Sequence, residues 1–273
     1  MATFPQEPTA AIEDTLIRIG RANASYTLVF LHGFAMHADP YAAPIADIVG
    51  DDGEALLYDL PGHGDAPGRV TSRTLAALFD SIAADLADGR GPIVLAGESM
   101  GCTHLHALAA RLATDGRQVR GFILLAPPLL LNPLTLARWT IDALLRSPGQ
   151  VLANRIPVRR PIAECVSDPQ QRRALLADPE VKLRVDVQYL ARSVFDIAQL
   201  GPQLRRMAVP TMLLQGSRDP LILPLSLALA YRLCGADDKQ KVMIQGARHS
   251  LLWDVRTGEV TSRVRAWLSR LVA

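Results

Sequence analysis

The sequence predicts an α/β fold, a mostly parallel sheet with helices on both faces and one helical insertion, and three observations predict it. Six short apolar runs each close on Gly or Pro. Segments with helical periodicity lie between most of them. The alternation then stops between residues 128 and 209 and resumes afterwards. Strands that alternate with helices build parallel sheets, because each crossover returns the chain to the same edge of the next strand.

The six runs are TLVFLHG (27–33), ALLYDLPG (55–62), PIVLAG (92–97), GFILLAP (121–127), PTMLLQG (210–216) and KVMIQG (241–246). They are continuous rather than alternating in hydrophobicity, as strands buried on both faces are. Helices are predicted over 73–87, where Leu75, Leu78, Phe79, Ile82 and Leu86 share a face, over 102–113, and over 257–271 through Val260, Val264, Trp267, Leu268 and Leu271. In the interrupted stretch, NPLTLARWTIDALLR (132–146) reads as a helix with Asn132 as N-cap and Pro133 at its first position. Its apolar stripe would be Leu134, Ala137, Ile141, Leu144 and Leu145. A second helix would pass through Leu183, Val187, Leu190, Ala191, Val194 and Ala198, although Val181, Leu183, Val185 and Val187 also alternate with period two. The expected organisation is one core formed by 1–127 and 210–273, with 128–209 as a helical cap.

Composition bounds the function. The 273 residues are 49% hydrophobic and 21% charged, which suits a globular domain rather than a disordered chain. A formal net charge of +2 gives no overall argument for nucleic acid. Cys102, Cys165 and Cys234 are widely spaced without a CxxC pair, which suggests neither a disulfide framework nor a zinc site and fits a reducing compartment. The start, MATFPQEPTAAIEDT, lacks the basic and apolar regions of a signal peptide. The longest uncharged stretch, 121–137, is broken by Pro127, Pro128 and Pro133, so stable membrane insertion is not expected. The expected location is cytoplasmic. No Walker or dinucleotide fingerprint accompanies the strands, so no cofactor is inferred.

The chemistry centres on LAGESMGCTH (95–104). Ser99 stands between Gly97 and Gly101, after a strand and before a helical run. Small residues there allow a sharp turn and close strand–helix approach, with the serine hydroxyl at its apex. A hydroxyl needs a base to become a nucleophile. His249 in QGARHSLLWD follows the last strand, and Asp219 in LLQGSRDPLI follows the one before it. The order is Ser, Asp, His, with an acid available to orient the imidazole and stabilise its cation. The loop His32-Gly33-Phe34 offers an amide that can meet that of Met100 over a developing oxyanion.

These stretches, together with LHGFAMHADPYAAPIADIV, YDLPGHGDAPG and the helix ending VRAWL, resemble the α/β-hydrolases, and within them the branch of monoacylglycerol lipases and lysophospholipases. The resemblance runs from about Tyr26 to Leu271. It implies Ser99, Asp219 and His249 as a catalytic triad, and the amides of Phe34 and Met100 as oxyanion donors. The chain departs from the family pattern in carrying Glu98 where His is common, Cys102 where a second Gly is common, and Phe34-Ala35-Met36-His37 where Gly-Glu-His is common. The departures leave the triad intact and bear on the substrate.

Other residues have simpler readings. Asp254 competes with Asp219 as the acid but is better placed to anchor the start of the last helix. His32 and His63 read as structural turn residues. His104 and His106, two apart on a helix, make a poor metal pair. Cys102 reads as a small buried filler, Asp59 as a turn former, and Glu98 as the acceptor of a local hydrogen bond. The stretch 128–209 holds twelve Lys/Arg and seven Asp/Glu. That would suit an anionic lipid interface, but solvent-facing arginines with leucines packed inward explain it more simply.

The expected function is therefore a metal-independent serine hydrolase acting on carboxylic esters, its substrate a small ester or an acyl lipid. Thioesterase, lactonase, amidase and carbon–carbon bond hydrolase share the same triad. An epoxide hydrolase or dehalogenase would carry Asp at the position of Ser99. Outside the enzymes, a ligand receptor on the same scaffold remains as the alternative.

Overall fold

The computed structural model describes residues 16–21, 24–87 and 91–272, so the leader reading for the first fifteen residues lies outside the described part. A seven-stranded sheet forms from β1 (Leu16–Gly20), β2 (Tyr26–Leu31), β3 (Gly53–Tyr58), β4 (Ile93–Glu98), β5 (Val119–Leu125), β8 (Thr211–Gly216) and β9 (Lys239–Ile244). Its order is β1-β3-β2-β4-β5-β8-β9. All neighbours run parallel except β1, which pairs antiparallel with β3. The sequence pattern missed β1. LIRIG lies on the sheet edge, carries Arg18, and is only partly buried, so it lacks the apolar continuity of the others.

The period of two along each strand divides the core. In β2, Leu28 and Phe30 face α1 (Ala42–Val49) and α10 (Thr257–Val272), whereas Val29 and Leu31 face α2 (Ser72–Asp85) and α3 (Leu105–Thr114). Both sets are fully buried. This is why the strands read as unbroken apolar runs. Helix α2 begins in a capping box in which the Thr71 and Thr74 side chains each accept the other's backbone N–H. Helix α9 (Leu225–Leu233) lies on the same side of the sheet as α2 and α3.

Between β5 and β8 the chain leaves the sheet. It forms α4 (Pro133–Arg146), α5 (Pro148–Leu152), α6 (Arg159–Glu164), α7 (Pro169–Ala177) and α8 (Val187–Arg206), with a two-residue antiparallel ladder of β6 (Ile156–Pro157) and β7 (Arg184–Val185). The two patterns seen near 181–198 are both realised, a short strand followed by a helix that Asp186 caps through the Tyr189 N–H. Asn132 caps α4 by accepting from the Leu134 and Thr135 amides, with Pro133 at the first position.

The predicted stripe of α4 needs correction. Leu134, Ile141 and Leu145 face solvent at 80%, 56% and 77% exposure, while Trp139 and Ala143 are buried. The helix is apolar on two sides, and the side carrying Trp139 is the one that turns inward. Several arginines of the insertion pair at its surface, Arg138 with Glu164, and Arg146 and Arg160 with Asp142, whereas Arg192 pairs with the buried Asp196. The three surface pairs contribute little stability. The exposed arginines fit one half of the simpler reading of the charge excess, but the leucines do not all pack inward, since Leu134, Leu145 and Leu152 are exposed.

Candidate active site

Ser99 begins a tight 3-10 turn, residues 99–103, directly after β4, and its φ of 53° lies in the left-handed region. A non-glycine residue there is strained and persists only where its surroundings enforce it. The flanking glycines supply that enforcement. A Cβ on Gly97 would lie 2.7 Å from the carbonyl carbon of Gly101, and one on Gly101 would fall on the carbonyl oxygens of Leu31 and His32. Strand, turn and neighbouring strand therefore close to a distance that only hydrogen side chains permit. Gly101→Ala is expected to lose about 1–3 kcal/mol or more of stability through overpacking against backbone that cannot yield; a lowered urea midpoint measures it.

Three sequence-distant residues meet at this turn. The Nε2 of His249 lies 2.9 Å from Ser99 Oγ, and its Nδ1 lies 2.8 Å from Asp219 Oδ2. His249 occupies the loop after β9 and Asp219 the loop after β8. Asp219 is held in place by its other oxygen, Oδ1, which accepts from the Leu221 and Ile222 amides at 2.8 and 2.9 Å. All three residues are buried, at 6–8% exposure, so little water competes for these bonds. Burial pushes the His249 imidazole toward neutrality, but the charge and hydrogen bond of Asp219 and the charge of Glu98 outweigh it, and its pKa rises.

The loop after β2 abuts the turn from the other side. A Cβ placed on Gly33 would lie 3.5 Å from Ser99 Cβ. Phe34 follows, its ring stacked on Tyr189 of α8 with centroids 4.9 Å apart. Ala35 adopts a φ of 62°. Both of its backbone groups are held by the insertion, for its N–H donates to Tyr189 Oη at 3.3 Å and its carbonyl accepts from the Lys182 N–H at 2.9 Å. The loop that carries Phe34 is thus held by the insertion while it lies against the serine turn, in which Met100 follows Ser99.

The histidines read as structural are tied to backbone. His32 Nε2 accepts from the Leu60 N–H at 2.9 Å, so its Nδ1–H donates to the Gly33 carbonyl at 2.8 Å. His63 bonds the Pro61 carbonyl through Nδ1 and Tyr189 Oη through Nε2. Burial lowers both pKa values, that of His63 to about 3. Asp59 accepts from the Ala38 and Asp65 amides and shapes its turn. Cys102 is buried, and burial pushes its thiol up. His104 is buried and neutral with a pKa of about 4. No group of three metal-ligating side chains occurs among the described residues.

Asp254 does more than anchor α10. Its Oδ1 accepts from the Ser167 and Asp168 amides of the insertion and from Val255. It therefore ties the insertion to the segment beyond His249. Tyr189, Tyr41 and Lys182 were not singled out from the sequence. Tyr189 is 154 residues from the Ala35 amide it accepts, and no local pattern announces such a contact.

Ser99, Phe34 and Met100 open into a cavity of about 380 Å³ whose other walls come mostly from the insertion, including Trp139, Val158, Leu190 and Ile197. From the PPLLLNPL stretch, Pro128 and Leu131 reach it, together with Leu136 and Leu144 of α4. A smaller chamber of about 70 Å³ touches Ser99 from the side of Glu98, Tyr41 and His249.

The chain as a whole is similar to known proteins. A mouse monoglyceride lipase is 26% identical over 258 residues, spanning 90% of this chain and 83% of that protein. The crystal structure of a monoacylglycerol lipase from Paleococcus ferrophilus superposes with a TM-score of 0.73 at 21% identity, covering 94% of this chain and 97% of its own. A soluble variant of the monoglyceride lipase from Saccharomyces cerevisiae, solved with a substrate analogue, gives 0.77 at 18% identity, covering 100% and 99%. At such identities the structures show the α/β-hydrolase fold alone. The family model described as serine aminopeptidase, S33, matches residues 22–256. The chain has the α/β-hydrolase fold and belongs to the serine aminopeptidase S33 family.

Proposed function

We propose that the protein is a serine hydrolase that cleaves carboxylic esters carrying an aliphatic acyl chain, in the manner of a monoacylglycerol lipase. The observation that carries this reading is the bonded chain Asp219–His249–Ser99 opening into a cavity with apolar walls. Ser99 Oγ attacks the ester carbonyl while His249 Nε2 takes its proton. The tetrahedral oxyanion is stabilised by the amides of Phe34 and Met100. On collapse, the carbon–oxygen bond to the alcohol breaks, and His249 returns the proton to the leaving oxygen. Water, deprotonated by His249, then attacks the acyl-enzyme and releases the acid and free Ser99. Asp219 keeps Nδ1 protonated throughout and stabilises the imidazolium.

In this reading, 1–127 and 210–273 form the catalytic core, and 128–209 is a cap that supplies most of the acyl pocket. The similarity to the mouse monoglyceride lipase supports the ester substrate. In this mechanism no step calls on a metal or cofactor, and treatment with EDTA is expected to leave turnover unchanged. Three buried cysteines, none in a disulfide, support a cytoplasmic setting. Among the described residues no helix is long and apolar enough to cross a membrane.

The pocket predicts a chain-length profile. Burying each acyl methylene is worth about 0.8 kcal/mol, or roughly fourfold, wherever the transition state gains it fully. With p-nitrophenyl esters, kcat/KM is expected to rise from acetyl to medium-chain acyl groups and then fall once the cavity is full. Ile197→Asn, which places an amide in the wall, lowers the longer esters more than the acetate. Acetate as the best substrate, or equal loss at all lengths, would show that the cavity holds no acyl chain. Aminoacyl p-nitroanilides in the same panel test amide cleavage, and a preference for them would replace the ester reading.

A further inference from the structure

Glu98 precedes Ser99 and is almost fully buried, at 2% exposure. It is the last residue of β4, and the strand's period of two sends it to the face of Val94 and Ala96, toward Tyr41. Its Oε2 accepts from the Tyr41 hydroxyl at 2.7 Å. Its Oε1 accepts from the Leu251 N–H at 2.8 Å and the Leu252 N–H at 3.4 Å. The two amides lie just past His249. The Tyr41 phenol lies against the backbone of Gly33, in the loop that carries Phe34. One carboxylate thus joins the serine turn, the histidine loop and the loop that flanks Ser99.

The protons favour an acceptor on both oxygens. Backbone amides can only donate, so Oε1 carries no proton, and the phenol supplies the donor to Oε2. Burial raises the Glu98 pKa, opposed by Tyr41, by His249 and by the two amides. A buried carboxylate without a local cation is costly. The charge that can answer it is the imidazolium that His249 becomes during turnover.

We propose that Glu98 is a positioning residue that locks the His249 loop and the Gly33–Phe34 loop to the serine turn, and whose negative charge supports the His249 cation. The inference rests on the ester-hydrolase reading. The groups around His249 make Glu98 the second anion of the site. Asp219 faces Nδ1 from the loop after β8, and Ser99 faces Nε2 from the turn after β4. Cys165 of the insertion is buried with its thiol pushed up and so is neutral. Tyr41 is a neutral phenol, its pKa raised by burial. The Arg248 guanidinium is engaged elsewhere, donating to the Glu164 carbonyl at 2.6 Å.

Glu98→Gln separates charge from contact. The amide oxygen accepts from Leu251 and Leu252, and the NH2 donates to the Tyr41 oxygen, so the bonds survive and the charge does not. Removing an anion that favours the imidazolium lowers the His249 pKa, which moves the acid limb of the kcat/KM profile to lower pH. The same loss destabilises the cation in the transition state. The expected result is an acid limb displaced downward by about half a pH unit or more and a plateau kcat reduced about tenfold, with KM within about twofold. Glu98→Asp, which keeps the charge, retains the wild-type acid limb. A folded Glu98→Gln protein with the wild-type limb overturns the charge role, whatever its kcat.

Tyr41→Phe tests the link independently and serves where Glu98→Gln does not fold. It keeps the carboxylate and removes the phenol bond, so kcat falls several-fold while the acid limb stays in place. An unchanged kcat overturns the loop-locking role. Fluorophosphonate labelling of wild-type Ser99 and measurable ester turnover are scored first. Their absence defeats the ester-hydrolase reading itself, whereas their presence with an unaltered Glu98→Gln profile defeats this inference alone.

Discussion

Ser99→Ala is expected to remove ester turnover by a factor of about 10⁴ or more and to abolish fluorophosphonate labelling, while the protein stays folded. The fold is insensitive because the strain at this position is backbone strain, which serine and alanine carry alike at a φ of 53°. The hydroxyl also contributes little structure, since its bond is to His249 Nε2 and His249 keeps its Asp219 partner when that bond is lost. What disappears is the atom that forms the acyl-enzyme. Residual activity would come from water attacking an ester polarised by the Phe34 and Met100 amides. Retention of more than about a tenth of wild-type activity exceeds what such a background supplies, and it would exclude Ser99 as the nucleophile. Near-ultraviolet circular dichroism on the same preparation distinguishes lost chemistry from lost structure.

The sequence revealed the core of the sheet because those strands are buried on both faces, and their hydrophobicity is continuous. It concealed β1, an edge strand with one polar side. The approach of Ser99, His249 and Asp219 was readable because each follows a strand of a parallel sheet, and the ends of parallel strands converge on one side. The insertion was readable as helical but not in its orientation. Helix α4 offers two apolar faces, and periodicity cannot choose between Leu134-Ile141-Leu145 and Trp139-Ala143. Nor could it place the polar residues that bridge separate segments. Tyr189 meets Ala35 and His63, Asp254 meets Ser167 and Asp168, and Glu98 meets Tyr41 and Leu251. Such pairs satisfy buried groups across long sequence separations, where neither spacing nor composition carries a signal.

Asp219→Asn and Asp254→Asn should differ sharply, and the difference follows from which oxygen of each carboxylate does what. Asp219 Oδ1 accepts two backbone N–H groups, from Leu221 and Ile222, and Oδ2 faces His249 Nδ1. An asparagine at 219 keeps its carbonyl oxygen on those amides, because its NH2 cannot accept from them. The NH2 is then directed at Nδ1. The imidazole answers by presenting Nδ1 as an acceptor, which puts its proton on Nε2, facing Ser99. That tautomer cannot take the serine proton, and the fixed anion that supports the imidazolium is gone as well. A loss of about 10³–10⁴ in kcat is expected, with KM little changed. Asp254 also accepts on Oδ1, from Ser167, Asp168 and Val255, but its Oδ2 has no partner. Asparagine there keeps all three bonds, and its NH2 takes the place of an oxygen that already lacked a partner, but the bonds now run to a neutral carbonyl in place of a carboxylate, a cost of about 1–3 kcal/mol in stability. Its kcat stays within a few-fold of wild type. Urea unfolding and steady-state kinetics on both variants separate the two effects. A greater catalytic loss in Asp254→Asn than in Asp219→Asn would transfer the role of the triad acid to Asp254.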